Sequence, residues 1–554
     1  MSKVDVEALK RASQGLRGSI PDELASPADH FSDEAIQLLK YHGVYQQDDR
    51  DARKSARETG AGRDYSCMIR TRSPGGILPA PMYLAVDRLT ELYGNASIRV
   101  TTRGALQLHG VLKSNLREVI HQINLHLGST LSACGDVNRN VMATPFPLRR
   151  PDYEAARKAA FAIADALTPR TKAYYEIWQD GELAHTTKSE PVDDPVYGTA
   201  YLPRKFKIAV TVPGDNSVDL YTNDIGVVVL MAADGTVEGY NLTVGGGLGM
   251  THGKTTTFPR LADELGSVPA ARLLDAVRAI VIVQRDHGDR TNRRHARLKY
   301  LIADRGLAWF REAVEREAGF ALDPWIALPA WSDPARFGWH EQGDGRWFYG
   351  LHVASGRVRD GESARLRSAL RVLAQRGYDF VATPAQQLLV VDVAAADRAA
   401  VDAVLREHGL ADPATVSHVR LRALACPALP TCGLALAESE RTIDPILGAI
   451  EGELAACGLA GEAIAIRMTG CPNGCARPYL AEIGIVGQSL DRYQIYLGGN
   501  PASTRLAKPW RAGVRSAEIA PLLAPYFTQF RDTRQAGESF GDWSDRELVS
   551  ETCA

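Results

Sequence analysis

The spacing of apolar residues along this chain changes several times, and the changes mark its elements. Ala80–Tyr93 and Leu116–Leu127 repeat apolar positions at helical spacing. Around them run short stretches of alternating apolar and polar residues, broken by glycine and proline, which predict half-buried strands such as 463–468 (AIAIRM). The interleaving predicts a mixed fold, α/β with α+β character. In Arg99–Gly110 the odd positions are Arg99, Thr101, Arg103, Ala105, Gln107 and His109, and the even ones include Val100, Leu106 and Leu108. Strand side chains alternate between faces, so the polar set is expected on one side and the leucines on the other, with a bend at Gly104. Pro203–Val210 repeats the device, with Lys205 and Lys207 alternating against Phe206, Ile208 and Val210, and Arg70 and Arg72 are also two apart.

There is also an internal repeat. IRVTTRGALQLH (98–109) and FVATPAQQLLVV (380–391) each follow a helix, and each helix follows a glycine-bearing strand and turn, CMIRTRSPGG (67–76) and FYGLHVASGR (348–357). The repeat predicts a duplicated fold with a pseudo-twofold axis. The expected units are an arm at 1–64, paired half-domains at 65–132 and 338–405, a central domain at 133–337 and a C-terminal domain at 406–554. The arm is polar, with Pro21, Pro27 and the run QQDDRDARKSAR (46–57), and reads as an extended segment with short helices that wraps the body or meets a partner.

Composition narrows the function. The 554 residues carry 64 basic and 66 acidic side chains, a formal net charge of −2. Without a basic excess, neither nucleic acid nor an anionic membrane is an expected partner. The N-terminus lacks the apolar core of a signal peptide, and no run of about 18 apolar residues occurs, so a cytoplasmic protein is expected. Thiols stay reduced there, and the eight cysteines call for a role other than disulfides. Cys67, Cys134, Cys457 and Cys553 are scattered and read as buried or idle thiols. The others form C-x5-C (Cys426, Cys432) and C-x3-C (Cys471, Cys475). Pro427 and Pro472 stop a helix from closing over each first thiolate, and Asn473-Gly474 favours a turn. Four such thiols suit an iron–sulfur cluster, or structural zinc, whose usual pairs are closer than C-x5-C. Cationic strands in a chain that is not basic overall predict a converging anion pocket for a polyanionic cofactor, an oxyanion or both. A zinc-stapled anion-binding protein would show the same features. VGGGLGMTHGK (244–254) lacks the register of a dinucleotide-binding turn, so electrons for any reduction are expected from a partner.

RMTGCPNGCARPYLAEIGIVG (467–487) together with CPALPTCGLALAESER (426–441) resembles the cluster-and-sirohaem signature of the sulfite/nitrite reductase haemoprotein family. RTRSPGG (70–76), SIRVTTRGALQLHG (97–110), DVNRNVMATP (136–145), YLPRKFKIAV (201–210) and NLTVGGGLG (241–249) fall in that family's order. LRGSIPDEL (16–24) and YHGVYQQDDRD (41–51) resemble the arm of NADPH-dependent assimilatory sulfite reductase haemoproteins, and the likeness extends to SFGDW (539–543). The resemblance implies that Cys426, Cys432, Cys471 and Cys475 hold a [4Fe–4S] cluster and that Cys475 also bridges to sirohaem iron. It implies a sirohaem cradle of Arg99, Thr101, Arg103, Gln107, His109, Arg204, Gln386 and Arg477. Arg70, Arg139, Lys205 and Lys207 match the cations around the substrate face of the haem. The implied reaction is the six-electron reduction of sulfite to sulfide, fed by an FMN/FAD flavoprotein subunit or by ferredoxin. Nitrite reductases of the family typically carry Asn where Lys207 stands, which favours sulfite over nitrite.

Overall fold

The segment expected to be one cationic strand is a hairpin in this computed structural model, which describes residues 4–60, 62–170, 176–179, 182–186 and 194–549. Gly104 adopts φ +61°, and Thr101 Oγ1 accepts the N–H groups of Arg103 and Ala105, each at 3.3 Å. Ile98–Val100 and Leu106–Val111 therefore fold back antiparallel, with Arg99 opposite Gln107. The bend moves Thr101 and Arg103 into the turn but leaves Arg99, Gln107 and His109 on one face. A side chain at Gly104 would place its Cβ 2.7 Å from the Ala382 carbonyl oxygen.

That close approach marks where the two repeats meet. The first sheet runs 44–48, 65–70, 106–111, 98–100, 357–358; the second runs 338–341, 346–351, 388–394, 380–382, 77–78. Each copy lends a two-residue strand to the other's sheet: Arg357–Val358 pairs with Ile98–Arg99, and Ile77–Leu78 pairs with Phe380–Val381. Helices Ala80–Leu92 and Leu366–Gln375 cover the same core, in which Val86, Leu89, Leu370 and Leu373 are buried together. The repeat is thus a pseudo-twofold pair of interlocked half-domains.

A second duplication relates the central and C-terminal sheets. The central sheet runs 142–143, 208–211, 225–231, 237–244, 263–269, and the C-terminal sheet runs 424–425, 466–469, 483–489, 492–497, 508–514. In both, the first three strands are parallel and the last two antiparallel. Asp219 (φ +47°) and Arg477 (φ +57°) occupy matching left-handed positions before a single 3₁₀ turn, and they pair with each other.

The arm contains the expected short helices, Val6–Ala12, Ile20–Ala25 and Asp33–Leu39. Its continuation is not loose chain: Val44–Asp48 is an edge strand of the first half-domain sheet. Lys10 is buried and donates to the Leu202 carbonyl at 2.9 Å, which ties the first helix to the lysine-bearing segment. That segment is regular strand only from Ile208; before it, Phe206 bridges Asn138. Among the described residues, no helix is long and apolar enough to cross a membrane.

Gly104→Ala should destabilise the protein by about 2–3 kcal/mol, from left-handed strain plus the clash with Ala382. Gly235→Ala, also left-handed but with open space around it, should cost no more than about 1 kcal/mol. Urea unfolding midpoints of the two variants measure the difference.

Candidate active site

Cys426 follows the strand Leu424–Ala425 and Cys471 follows Ile466–Thr469; these strands are parallel neighbours, so both thiols leave the same sheet end. Gly470 N–H donates to Cys426 Sγ at 3.3 Å, and Asn473 Nδ2 lies 3.6 Å from Cys471 Sγ. Cys426 and Cys471 are buried, Cys432 is half-buried and Cys475 is exposed. Burial first, then the charge of neighbouring thiols, pushes Cys426 up to about 12 and Cys471 to about 11, and raises Cys432. Thiols raised this way stay protonated at neutral pH, and a metal centre that binds them must displace those protons. Among the described residues, no three His, Cys, Asp or Glu side chains gather closely enough to hold a single metal ion. The four thiols are nonetheless near enough for the Cys475 charge to raise the other three.

The hairpin face and the second half-domain lock this sheet end in place. Arg99 pairs with Glu440 and donates to the Ala425 carbonyl at 2.6 Å, and Arg357 pairs with the same carboxylate at 2.7 Å. Gln386, left-handed at φ +63°, donates to the Ala425 carbonyl at 3.0 Å. Arg477 donates to the carbonyls of Thr102 (3.0 Å) and Pro384 (2.8 Å), and Thr102 Oγ1 donates to the Cys475 carbonyl (3.0 Å). Arg103 donates to the Asn140 and Ile208 carbonyls at 2.6 and 2.9 Å. These predicted cradle residues are therefore also the joints between units. His109 is different: it is buried, and neither ring nitrogen has a protein partner. Burial, then the charges of Arg357 and Arg99, push its pKa down to about 3, so it is neutral, with one N–H left to donate.

Opposite lie the other predicted cations. Arg70 donates through Nη1 to Cys134 Sγ (3.1 Å) and through Nε to the Gln107 amide oxygen (2.9 Å). Arg139 N–H donates to the Phe206 carbonyl at 2.9 Å, which fixes it beside Arg204-Lys205-Phe206-Lys207. Burial, followed by Arg139 and Arg204, lowers Lys205 to about 7. Burial, followed by Lys205 and Arg103, lowers Lys207 well below its ordinary value. Burial also lowers Arg204. The Cys475 thiolate favours the charge on Lys205, which puts the exposed thiol within electrostatic reach of the lysines.

Several site residues were not singled out from sequence. Asp224 Oδ2 accepts the Lys207 N–H (2.9 Å) and Arg297 Nη2 (2.6 Å), while its Oδ1 is buried without a partner. Lys299 donates to the carbonyls of Gly247 (3.1 Å) and Gly249 (2.9 Å), and Met250 N–H donates to the Pro472 carbonyl (2.9 Å), so the glycine-rich loop docks on the cysteine loop. Arg297-x-Lys299 has the two-residue spacing of Lys205-x-Lys207, a signal available in the sequence. Cys134, read as an idle thiol, is buried as expected but holds Arg70; Cys67 and Cys457 are buried, and Cys553 lies outside the described residues.

Thiols at one sheet end, facing a buried cationic wall with an unpartnered imidazole, define a redox protein that acts on an anion. Comparison agrees. Residues 60–126 match the nitrite/sulfite reductase ferredoxin-like half domain, and residues 159–322 match the nitrite and sulphite reductase 4Fe-4S domain. The second match falls on the central unit; the four grouped cysteines lie in the C-terminal unit of the same strand order. The chain is 51% identical to a "Sulfite reductase [ferredoxin]" of Synechococcus elongatus, over 98% of this chain and 89% of that one. It is 44% identical to a "Sulfite reductase [NADPH] hemoprotein beta-component" of Myxococcus xanthus, over 97% and 95%. The solved structure of the Mycobacterium tuberculosis NirA protein superposes with a TM-score of 0.80 at 25% identity, covering 99% of this chain and 97% of that one. The chain belongs to the nitrite and sulfite reductase family, among the sulfite reductase haemoproteins. Membership implies a sirohaem and a [4Fe–4S] cluster. The residues present fit both: four mutually interacting thiols for the cluster, and buried cations with the orphaned His109 ring for a polycarboxylate macrocycle.

Glu440 is a buried anion between Arg99 and Arg357, and these arginines hold its pKa down at about 2 even though burial opposes ionisation. A depressed carboxylate contributes stability that is full above its unfolded value and is lost as pH falls through the folded one. The shift corresponds to about 3 kcal/mol. Glu440→Gln should therefore lower stability by roughly that amount at pH 7. The gap to wild type should narrow as pH drops from about 5 towards 2, as followed by chemical denaturation across pH.

Proposed function

We propose that this chain is the haemoprotein of an assimilatory sulfite reductase, catalysing the six-electron reduction of sulfite to sulfide in the cytoplasm. The observation that carries the reading is a group of four thiols at one sheet end beside a wall of buried cations, with the Cys475 thiolate near enough to favour the charge on Lys205. In this proposal Cys426, Cys432, Cys471 and Cys475 hold the cluster, and Cys475 also serves the sirohaem iron. Arg99, Thr101, Arg103, Gln107, His109, Arg204, Gln386 and Arg477 surround the macrocycle. The arm (1–64), half-domains (65–132, 338–405), central domain (133–337) and C-terminal domain (406–554) are its working units. When bound, the coupled cofactors supply electrons one at a time to the sulfur of sulfite.

The protein's own work is electrostatic. Arg70, Arg139, Lys205 and Lys207 hold the sulfite oxygens, and fixed cations in a buried site stabilise an oxyanion far better than water does. Each oxygen of sulfite leaves as water and needs two protons. Lys205, lowered to about 7 by burial and by Arg139 and Arg204, exchanges its Nζ proton readily near neutral pH. Lys207, lowered by burial and then by Lys205 and Arg103, likewise becomes a better proton donor once protonated. Asp224 fixes the backbone from which Lys207 projects, so the two amines keep their places as charge is consumed. Lys207, in place of the asparagine typical of nitrite reductases, supports sulfite as the substrate.

Electrons arrive from a separate protein. The relative at 51% identity carries a ferredoxin name, and the relatives at 44% carry an NADPH name that implies a flavoprotein partner. The higher identity supports a ferredoxin-type donor. Mixing the purified chain with reduced ferredoxin or with the flavoprotein, and following sulfide, separates the two.

With reduced methyl viologen as donor, the purified protein should contain iron and labile sulfide, show an isobacteriochlorin spectrum, and release sulfide from sulfite with a higher kcat/KM than ammonia from nitrite. A colourless, iron-free protein from a sirohaem-producing host would refute the reading. Lys207→Ala should keep the haem spectrum and lose about 100-fold in sulfite turnover. Wild-type activity should fall as pH rises through about 7, where Lys205 loses its proton. Lys205→Arg, charged throughout, should flatten that alkaline limb relative to wild type at equal pH, a comparison in which the substrate's own ionisation cancels.

A further inference from the structure

The run QQDDRDAR (46–53) fits no role in the reaction as described, yet nearly every polar side chain in it is engaged. Gln46 Oε1 accepts the Phe31 N–H at 2.7 Å, which closes the arm's third helix onto the edge strand. Asp48 pairs with Arg53 (2.7 Å). Asp49 Oδ1 accepts the N–H groups of Asp51 (2.8 Å) and Ala52 (3.3 Å), which tightens the turn after the strand. Asp51 accepts from Arg441 at 2.7 Å. These contacts turn Arg50 away from the arm and towards the cysteine loop. Its backbone N–H donates to the Pro430 carbonyl (3.2 Å), and its Nη1 donates to the carbonyls of Cys432 (3.1 Å) and Ala435 (2.5 Å).

Two features make this contact more than a surface tie. Arg53 and Arg441 are neutralised by carboxylates, whereas Arg50 makes no ion pair among the described residues. Its positive charge rests on two carbonyls that flank a cysteine of the quartet. The loop it holds is one partly open side of the quartet, for Cys432 is only half-buried and Leu434 is 67% exposed. A fixed cation with no ion pair among the described residues, though its charge also reaches the Asp48 carboxylate, favours the form with one more electron when it lies next to a partly dehydrated redox centre. Nη1, carried on a rigid planar group and donating to both carbonyls, also restrains the loop, in a way that the flexible ammonium of lysine does not reproduce.

We propose that Arg50 is a positioning residue of the redox centre: it holds the Pro430–Ala435 loop closed, and its charge raises the reduction potential of the cluster. The proposal rests on the assignment of Cys426, Cys432, Cys471 and Cys475 as cluster ligands. It gives the arm a part in electron acceptance.

The test uses the full-length holoprotein and the variants R50Q, R50K and R441Q, each checked for iron, labile sulfide and the haem spectrum. Two quantities are read: the cluster potential, by redox titration followed with electron paramagnetic resonance, and the rate at which an iron chelator strips the cluster. R50Q should titrate at a more negative potential and lose its cluster about ten-fold faster, the effect of removing a charged contact to two carbonyls. R50K should restore the potential but not the slow release. R441Q, which breaks the neighbouring exposed ion pair, should match wild type in both. A wild-type potential in R50Q, or an equal shift in R441Q, would overturn the electrostatic assignment. Wild-type release in R50K would overturn the fastening role, and R50K alone decides this if R50Q does not load its cofactors. Wild-type protein without iron or labile sulfide would instead remove the cluster reading itself.

Discussion

The structure depends on the confinement of like charge. Arg103, Arg139, Arg204, Lys205, Lys207 and Arg297 are brought together out of water, and burial, reinforced by neighbouring cations, lowers the proton affinity of Arg103, Arg204, Lys205 and Lys207. In a medium of reduced dielectric, such a group repels itself strongly unless anions answer it. The protein supplies only part of the answer. Asp224 meets Arg297, Asp136 meets Arg293 and Lys10, Asp219 meets Arg467 and Arg477, and Glu440 meets Arg99 and Arg357. Among the described residues Lys205 and Lys207 make no ion pair with a carboxylate, a balance that the polyanionic cofactor and anionic substrate of the proposed function would complete. This explains how a chain with net charge −2 can build a strongly cationic site.

Two duplications supply the geometry. The interlocked half-domains cross at Gly76, Gly104 and Ala382, where backbones come too close for a side chain. The central and C-terminal sheets share one strand order but have diverged in chemistry. The central copy contributes Lys205 and Lys207 ahead of its second strand, and the C-terminal copy contributes Cys426 after its first strand and Cys471 and Cys475 after its second. The half-domain hairpins reach between them through Arg99, Arg103 and Gln386. A metal centre and a cation wall therefore face each other because two copies of one architecture kept different ends of their strands.

Much of this could be read in the sequence. The alternation in Arg99–His109 placed Arg99, Gln107 and His109 on one face, and the spaced cysteines marked a four-thiol centre. The hairpin was hidden because it depends on the left-handed backbone of Gly104, which composition does not reveal. The strand Val44–Asp48 was read as arm because its sequence is polar: it is an edge strand that exposes much of its length. The kinship of the central and C-terminal sheets leaves only a short trace in residue identity, DLYTNDIGVV (219–228) against RPYLAEIGIV (477–486), which is legible once the matching strands are known. Asp224 and Glu440 escaped notice for another reason: a buried acid can be recognised only once the cations around it are known.

The most direct test of the account is the magnetic coupling between the two metal centres, measured by electron paramagnetic resonance and Mössbauer spectroscopy on wild type and Cys475→Ser. If Cys475 belongs to both centres, the wild-type cluster and haem iron will behave as one spin system, and the variant will show either an uncoupled cluster or a haem without its thiolate. Identical, coupled spectra in the two proteins would contradict it.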